Sequence, residues 1–390
     1  MPVAGEAALK VTLNLRPFVI NYAVTYGSTF STIGHNSFIS DNAFLDRANT
    51  ENGGLRTLIQ YTRPGTLELV EKVIPEPGKG EVLLSIEACG ICGADAGAIE
   101  GLEQNTTYPR VPGHEVVGKI VSLGAEVPSY LAVGQRVGVG RLGGHCNECD
   151  QCRQGRFNLC TNQPAVGSSH DGGYAEMMIA RATGLVVIPE ALTSEAAAPL
   201  LCAGIATFNA LIKSGARPGD TVAIQGIGGL GHLALQYAKK MGFRVVAVGR
   251  GDDIAQDVKE LGAHIYLDTR KVNAVEELKK MGLAQVIITT ITDSAAASEL
   301  IKALASRGKF MVVGAGKDPL TIAPGQMVGN EIAIEGAITG TPYEVEKTLD
   351  FSLLTDVRAR VETMPLEKAN EAYQRVMSGD VKFRMVLTMR

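Results

Sequence analysis

Seven cysteines stand at positions 89, 92, 146, 149, 152, 160 and 202, and four of them crowd into one short stretch as Cys146-x2-Cys149-x2-Cys152-x7-Cys160. Gly143, Gly144 and Gly155 let that stretch turn tightly. Sulfurs so closely spaced can all reach one ion about 2.3 Å away, and zinc held by four cysteines has no coordination position left for a substrate. That is a structural site. An iron–sulfur cluster uses similar thiolates and is the alternative at this point. A second set is dispersed: Cys92 in Gly90-Ile91-Cys92-Gly93-Ala94-Asp95, His114 in Pro112-Gly113-His114-Glu115, and Cys202 in Leu200-Leu201-Cys202-Ala203-Gly204. Two cysteines and a histidine make a three-ligand zinc site with an open fourth position, the catalytic arrangement. Each of the three alone also reads as packing, and spacing does not assemble them.

A glycine-rich turn, Gly226-Ile227-Gly228-Gly229-Leu230-Gly231, follows the strand-like run Thr221 to Gln225 and precedes a helix-like one. In that setting Gly226 makes the tight turn, Gly228 lets the backbone approach a pyrophosphate, and Gly231 lets helix and strand pack closely. The anion then meets the N–H groups of the helix start. The next strand ends in Gly249-Arg250-Gly251, where an NAD-binding chain places an acid for the ribose 2′-hydroxyl. The acid is missing and a guanidinium follows, which suits the 2′-phosphate of NADP, although Asp252 and Asp253 dilute the positive field. NADP(H) is expected over NAD(H).

The elements that must carry these residues fall into two kinds. Leu55 to Tyr61, Thr66 to Val73, Glu81 to Ala88, Val116 to Leu123 and Arg136 to Val139 are short β-prone runs parted by turn signals such as Pro64-Gly65. After Cys202 the rhythm alternates strand and helix: Thr221 to Gln225, Leu230 to Met241, Arg244 to Val248, Ile254 to Leu261, Val286 to Thr290, Ala295 to Leu304 and Lys309 to Val313. Alternation of this kind predicts a parallel sheet with crossover helices. Leu230, Leu233, Ala234, Tyr237, Ala238 and Met241 recur at helical spacing and give the first helix one apolar face.

Composition narrows the function. The 390 residues are 45% hydrophobic and 20% charged with a net charge of −4, so the chain has the makeup of a globular protein with two or three domains. A mildly acidic balance and 5% aromatic residues give no footprint for nucleic acid. No apolar run approaches the roughly 20 residues that span a bilayer, and the cysteines sit as metal ligands do rather than as a disulfide framework.

The motifs Gly90-Ile91-Cys92-x-x-Asp95, Pro112-Gly113-His114-Glu115, the cysteine tetrad, Asp171-Gly172-Gly173-Tyr174-Ala175-Glu176, Cys202-Ala203-Gly204-x-x-Thr207 and Gly226 to Gly231 occur in one order. From Leu55 to Arg390 the chain resembles the zinc-containing medium-chain alcohol dehydrogenases, in particular their NADP-preferring, cinnamyl-alcohol-dehydrogenase-like branch. The resemblance implies an α/β protein: an irregular, mostly-β, GroES-like catalytic domain over 55–203 that resumes over 341–390, and a doubly wound Rossmann domain over 204–340. It implies two zinc ions per chain, with Cys92, His114 and Cys202 on the catalytic one, Glu115 beside it, and Asp95 orienting the site. Thr207 would lie against the nicotinamide and Arg384 would contact the pyrophosphate, while Cys89 matches no ligand position. The implied reaction is hydride transfer between NADP(H) and a primary alcohol or aldehyde, in a homodimer or homotetramer. Alternatives are a non-catalytic zinc- and NADPH-binding protein and a polyol or threonine dehydrogenase. One departure stands out: relatives carry Ser or Thr where this chain has Ala94, and some carry a relay histidine where it has Gly97. The usual path for the alcohol proton is therefore absent.

Residues 1–54 lack periodic patterning, and between Ala7 and Ser40 only Lys10 and Arg16 carry charge. The expectation is an extension without a packed core and a cytoplasmic protein, or a mitochondrial one if this stretch is a transit peptide.

Overall fold

The computed structural model describes residues 54–103, 107–314 and 316–389. The expected N-terminal extension, with its transit-peptide reading, lies outside them. Among the described residues the chain forms fifteen strands: β1 (Leu55–Arg63), β2 (Thr66–Val73), β3 (Glu81–Ile91), β4 (Glu115–Leu123), β5 (Arg136–Val139), β6 (Met177–Arg181), β7 (Leu185–Val187), β8 (Thr221–Gln225), β9 (Arg244–Gly249), β10 (Ile265–Asp268), β11 (Ala284–Thr289), β12 (Leu304–Val312), β13 (Ala333–Gly336), β14 (Val361–Pro365) and β15 (Arg384–Thr388). No single helix among these residues is long and apolar enough to cross a membrane.

β1 and β2 form an antiparallel hairpin, and β3 to β7 together with β14 and β15 form a seven-stranded sheet in the order β14-β15-β3-β4-β5-β7, with β6 also paired to β3. β3 is central because it is apolar on both faces: Val82, Leu83, Leu84, Ile86, Ala88, Cys89 and Ile91 are all buried. β3 and β4 pair with Gly90 opposite Glu115, and β15 flanks β3 with Met385 opposite Ile91. That register brings the ends of three distant segments to one place.

β8 to β13 make a six-stranded parallel sheet in the order β10-β9-β8-β11-β12-β13. Counted from β8 this is the doubly wound order 3-2-1-4-5-6, whose ligand crevice opens where the order reverses, between β8 and β11. Every residue of β8 is buried, as a strand covered by helices on both faces requires. The helix Gly231–Lys240 packs Leu233, Ala234, Tyr237 and Ala238 onto it. The α/β architecture, a GroES-like portion with a Rossmann sheet, is the expected one.

Two local expectations need correction. The helix read as Ala295 to Leu304 spans Ser294–Leu300 and passes through a single tight turn, so that Leu304 already opens β12. β12 itself starts before Lys309 because Arg307, at φ 61°, and Gly308 form a bulge that shifts its register against β11 between Ala284 and Val286. β10 and β13, four residues each, were too short to register as apolar runs.

Candidate zinc centres and cofactor turn

The dispersed set is assembled by the register just described. Cys92 follows the end of β3, His114 precedes β4, and Cys202 immediately precedes the helix Ala203–Ser214. Cys92 Sγ lies 4.0 Å from Cys202 Sγ, and His114 Nε2 lies 3.3 Å from Cys202 Sγ. With Glu115, these donors all fall within 4.8 Å of one another. Around a tetrahedral zinc with bonds near 2.0 to 2.3 Å, neighbouring ligand atoms sit about 3.5 to 3.8 Å apart. The donor set fits that ion. His114 and Glu115 are fully buried, whereas Cys92 is half-buried beside exposed Gly93 and Ala94, so the set opens to solvent on one side.

Asp95 organises the set. Its Oδ1 accepts the His114 Nδ1–H at 2.6 Å, and its Oδ2 accepts from the Cys92 backbone N–H at 2.9 Å and the Tyr174 hydroxyl at 3.1 Å. With Nδ1 on Asp95, Nε2 is the nitrogen turned toward the thiols, and it offers its lone pair to a metal once its proton is lost. Tyr174 belongs to a motif quoted in the sequence without a role for this residue. The signal was the Gly172-Gly173 pair before it: a Cβ on Gly172 would lie 2.1 Å from the Gly113 carbonyl oxygen, so only glycine lets this loop rest on the segment carrying His114.

The charges of the donor set are mutually dependent. The hydrogen bond from Cys202 favours the Cys92 thiolate and lowers its pKa well below the ordinary thiol value, and the same proximity raises that of Cys202. Burial disfavours the His114 imidazolium, but Asp95 and then Cys92 outweigh it and hold its pKa near 10. Glu115 is pushed up to about 7 by burial, against the pull of Arg384. Arg384 reaches both Glu115 oxygens and is itself almost fully buried.

The tetrad is local. Cys146, Cys149, Cys152 and Cys160 offer sulfurs within 4.8 Å of one another, with Cys146 to Cys160 at 3.6 Å, Cys149 to Cys160 at 3.9 Å and Cys146 to Cys152 at 4.0 Å. Backbone N–H groups of Glu148 and Cys149 point at Cys146 Sγ at 3.4 Å, and those of Cys146 and Asn162 point at Cys160 Sγ at 3.4 Å. Backbone N–H groups of Cys152 and Thr161 lower the Cys149 pKa to about 5, so the loop already favours thiolate at that position. Four sulfurs on one tetrahedron suit a closed zinc site. Cys89 is buried in the sheet core and is not among the donors of either set.

The glycine turn has the geometry its mechanism needs. Gly226 adopts φ +88°, and a Cβ on Gly231 would lie 1.9 Å from the Gly226 carbonyl oxygen. A Cβ on Gly228 would meet nothing within 4 Å, so this point faces open space that a phosphate can enter. Arg384 lies against the same turn, its Nη1 2.8 Å from where a Gly229 Cβ would be. Leu230 stands at the helix start, where no side chain caps the backbone N–H groups. His232, which sequence reasoning passed over, donates from Nδ1 to the Gly228 carbonyl at 3.2 Å and accepts from the Arg360 N–H at Nε2 at 3.3 Å. Burial lowers its pKa to about 3, so it stays neutral.

Other sequence candidates stand differently. Thr207 is fully buried and its hydroxyl donates to the Ala203 carbonyl at 2.7 Å, so it is turned into its own helix. Gly249 is crowded: a Cβ there would lie 2.9 Å from the Tyr266 ring, which explains the missing acid sterically. Arg250 is exposed on the turn that follows. At Gly97 a Cβ would lie 2.8 Å from Glu103 Oε1, so the Glu103 carboxyl, paired with Arg141, fills the space of the absent side chain.

Residues 78–190 match the alcohol dehydrogenase GroES-like domain family and residues 229–353 match the zinc-binding dehydrogenase family. The chain is 40% identical over 314 residues to alcohol dehydrogenase notN of Aspergillus sp. (strain MF297-2), covering 80% of this chain and 91% of that one. It is 40% identical over 330 residues to an alcohol dehydrogenase of Geobacillus stearothermophilus, covering 84% and 97%. The solved structure of a cinnamyl alcohol dehydrogenase (SbCAD4) from Sorghum bicolor shares 28% identity and superposes with a TM-score of 0.78, over 86% of this chain and 97% of that one.

Proposed function

The chain belongs to the zinc-containing medium-chain alcohol dehydrogenase family, and from that premise we propose that Cys92, His114 and Cys202 hold a catalytic zinc, that the four-cysteine loop holds a second, structural zinc, and that NADP(H) is the preferred cofactor. The enzyme is an alcohol dehydrogenase acting on a small-molecule alcohol or aldehyde. Within that class we propose a primary alcohol or its aldehyde. The observation that carries the reading is the juxtaposition of Cys92, His114 and Cys202 at 3.3 to 4.0 Å on the side of the molecule where Arg384 links Glu115 to the glycine turn.

When bound, zinc supplies polarisation of the substrate oxygen and the nicotinamide supplies the hydride chemistry. The protein groups do the rest. Asp95 fixes the His114 tautomer and, through the Cys92 N–H, the position of that sulfur. Arg384 offsets the buried Glu115 carboxylate and presents a guanidinium edge to the turn, where the helix Gly231–Lys240 adds the positive end of its dipole. Proton removal from the alcohol has no hydroxyl at Ala94 and no imidazole at Gly97 to use, so water carries it toward solvent past the exposed Gly93-Ala94 edge. A homodimer or homotetramer belongs to the same proposal, supported by the position of β13 at the edge of the parallel sheet.

The test is an aldehyde panel run with NADPH and NADH in parallel, with zinc counted per chain by mass spectrometry. We expect kcat/KM to favour NADPH and the metal content to be two. A preference for NADH would overturn the cofactor reading, and a single zinc would overturn the two-site reading.

A further inference from the structure

We propose that Arg270, on the turn after β10, is a second specificity-determining residue that joins Arg250 in receiving the 2′-phosphate of the cofactor, with Asp268 as the residue that positions it. This rests on the NADP(H) reading above and deepens it. Nothing in the sequence pointed to Arg270, since it lies one strand beyond the position where the acid is missing.

β9 and β10 pair in parallel with Gly249 opposite Asp268, so their carboxyl ends present two turns side by side. Side chains and backbone lock these turns together. Asp268 Oδ1 accepts the Gly251 N–H at 2.8 Å and the Arg270 N–H at 3.0 Å. The Thr269 N–H and hydroxyl both donate to the Gly249 carbonyl at 3.0 Å, and the Tyr266 hydroxyl donates to the Gly251 carbonyl at 2.6 Å. The exposed Arg270 side chain crosses from its own turn to the neighbouring one, with Nη1 3.3 Å from the point where a Gly251 Cβ would stand. The same point lies 2.5 Å from Asp253 Oδ1, so Arg270 and Asp253 both border the turn that carries Arg250, and this turn is the shared platform.

The local charges show why one arginine is not enough. Asp252 is matched by Lys271. Asp253 and Asp268 remain, and against Arg250 alone they would leave the platform negative, a poor place for a phosphate dianion. Arg270 restores the balance, and among the described residues neither Arg250 nor Arg270 has a carboxylate partner within ion-pair distance. Two guanidinium forks with their donors available suit the oxygens of a phosphate monoester, whereas the hydroxyl of NAD(H) gains little from them.

The experiment compares wild type, Arg250→Ala, Arg270→Ala and Arg270→Lys in two measurements: kcat/KM with NADPH and with NADH, and binding of 2′,5′-ADP and 5′-AMP by calorimetry. Arg270→Ala should lower the NADPH-to-NADH ratio about 10-fold and weaken 2′,5′-ADP to the same degree, while affecting 5′-AMP much less. Arg270→Lys, which keeps the charge and loses the fork, should fall between. Equal weakening of both nucleotides would mean that Arg270 only supports the turn, and would overturn the inference. A wild type that favours NADPH with an unchanged ratio in Arg270→Ala would overturn it too, leaving the cofactor reading intact. A wild type that favours NADH would overturn that reading and with it the inference.

Discussion

The two cysteine sets use the same donor atom and are built in opposite ways. The tetrad lies within one excursion of the chain between β5 and β6, and its sulfurs are aimed by N–H groups of the same loop. The triad comes from three segments, and what joins Cys92 to His114 is the pairing of Gly90 with Glu115 across β3 and β4. Local closure makes the tetrad a device that holds its own loop. Closure through sheet register makes the triad a product of the fold, on which the chemistry depends but the fold does not.

The sharpest way to break this contrast is one cysteine from each set. Cys202→Ser should lower kcat by about 10³-fold or more, since a polarising metal contributes several kcal/mol to the transition state, yet shift the melting temperature little. Cys149→Ser should instead lower the melting temperature by about 3 to 5 °C, the equivalent of a few kcal/mol in a chain of this size, because closed zinc sites contribute folding energy. Equal melting and equal loss of activity in the two variants would erase the distinction.

Asp95→Asn sharpens the contrast from within the triad. The amide keeps the shape and loses the charge that supports His114, so zinc affinity should fall about 10- to 100-fold, read by competition with a chromophoric chelator. The pH dependence has a definite sign. In the metal-free site His114, near 10, and Cys202, raised, both hold protons at neutral pH, and both must lose them to bind zinc. Affinity therefore rises with pH, and the slope should be shallower in Asp95→Asn, where His114 releases its proton more readily. In the tetrad the backbone lowers Cys149 to about 5 while burial raises Cys152 to about 12, so that site too releases a proton on binding zinc and its affinity also rises with pH. An identical slope in wild type and Asp95→Asn would contradict this account.

The smallest effect concerns Ala94. Ala94→Ser returns a hydroxyl to the edge of the triad, and alcohol oxidation at neutral pH should rise several-fold, well short of the roughly 10²-fold lower bound for full acid–base assistance because water already does part of the task. The gain should fade as pH rises and hydroxide takes over. An unchanged pH profile with a higher KM for an aromatic alcohol alone would instead show that Ala94 makes room for substrate.

What the sequence revealed follows the same division. The tetrad, the glycine turn and the strand-helix alternation after Cys202 are local patterns, and β2, β5 and β8 fall on the residues read as strands. The partners that tune the sites were not visible. Tyr174 reaches Asp95 and His232 reaches Arg360 only through tertiary packing. The space at Gly97 is filled by Glu103, and the one at Gly249 by Tyr266, neither of which a linear pattern announces. β12 begins before its apolar run because the bulge at Arg307 interrupts that run.

The position of β15 has a consequence for how the molecule is made. Among the described strands it is the last in chain order, yet it pairs with β3, about three quarters of the chain away, and carries Arg384 to the glycine turn and to Glu115. During synthesis β6 can cover the Glu81–Ser85 end of that edge early, but the Ala88–Ile91 end of β3 must wait unpaired until almost every other described element has emerged. Contacts of such sequence separation slow folding, and an unpaired edge invites other chains. A chain interrupted before Arg384 would be left with both an unfinished sheet and an uncompensated Glu115, so the step that completes the barrier to aggregation is also the one that completes the site.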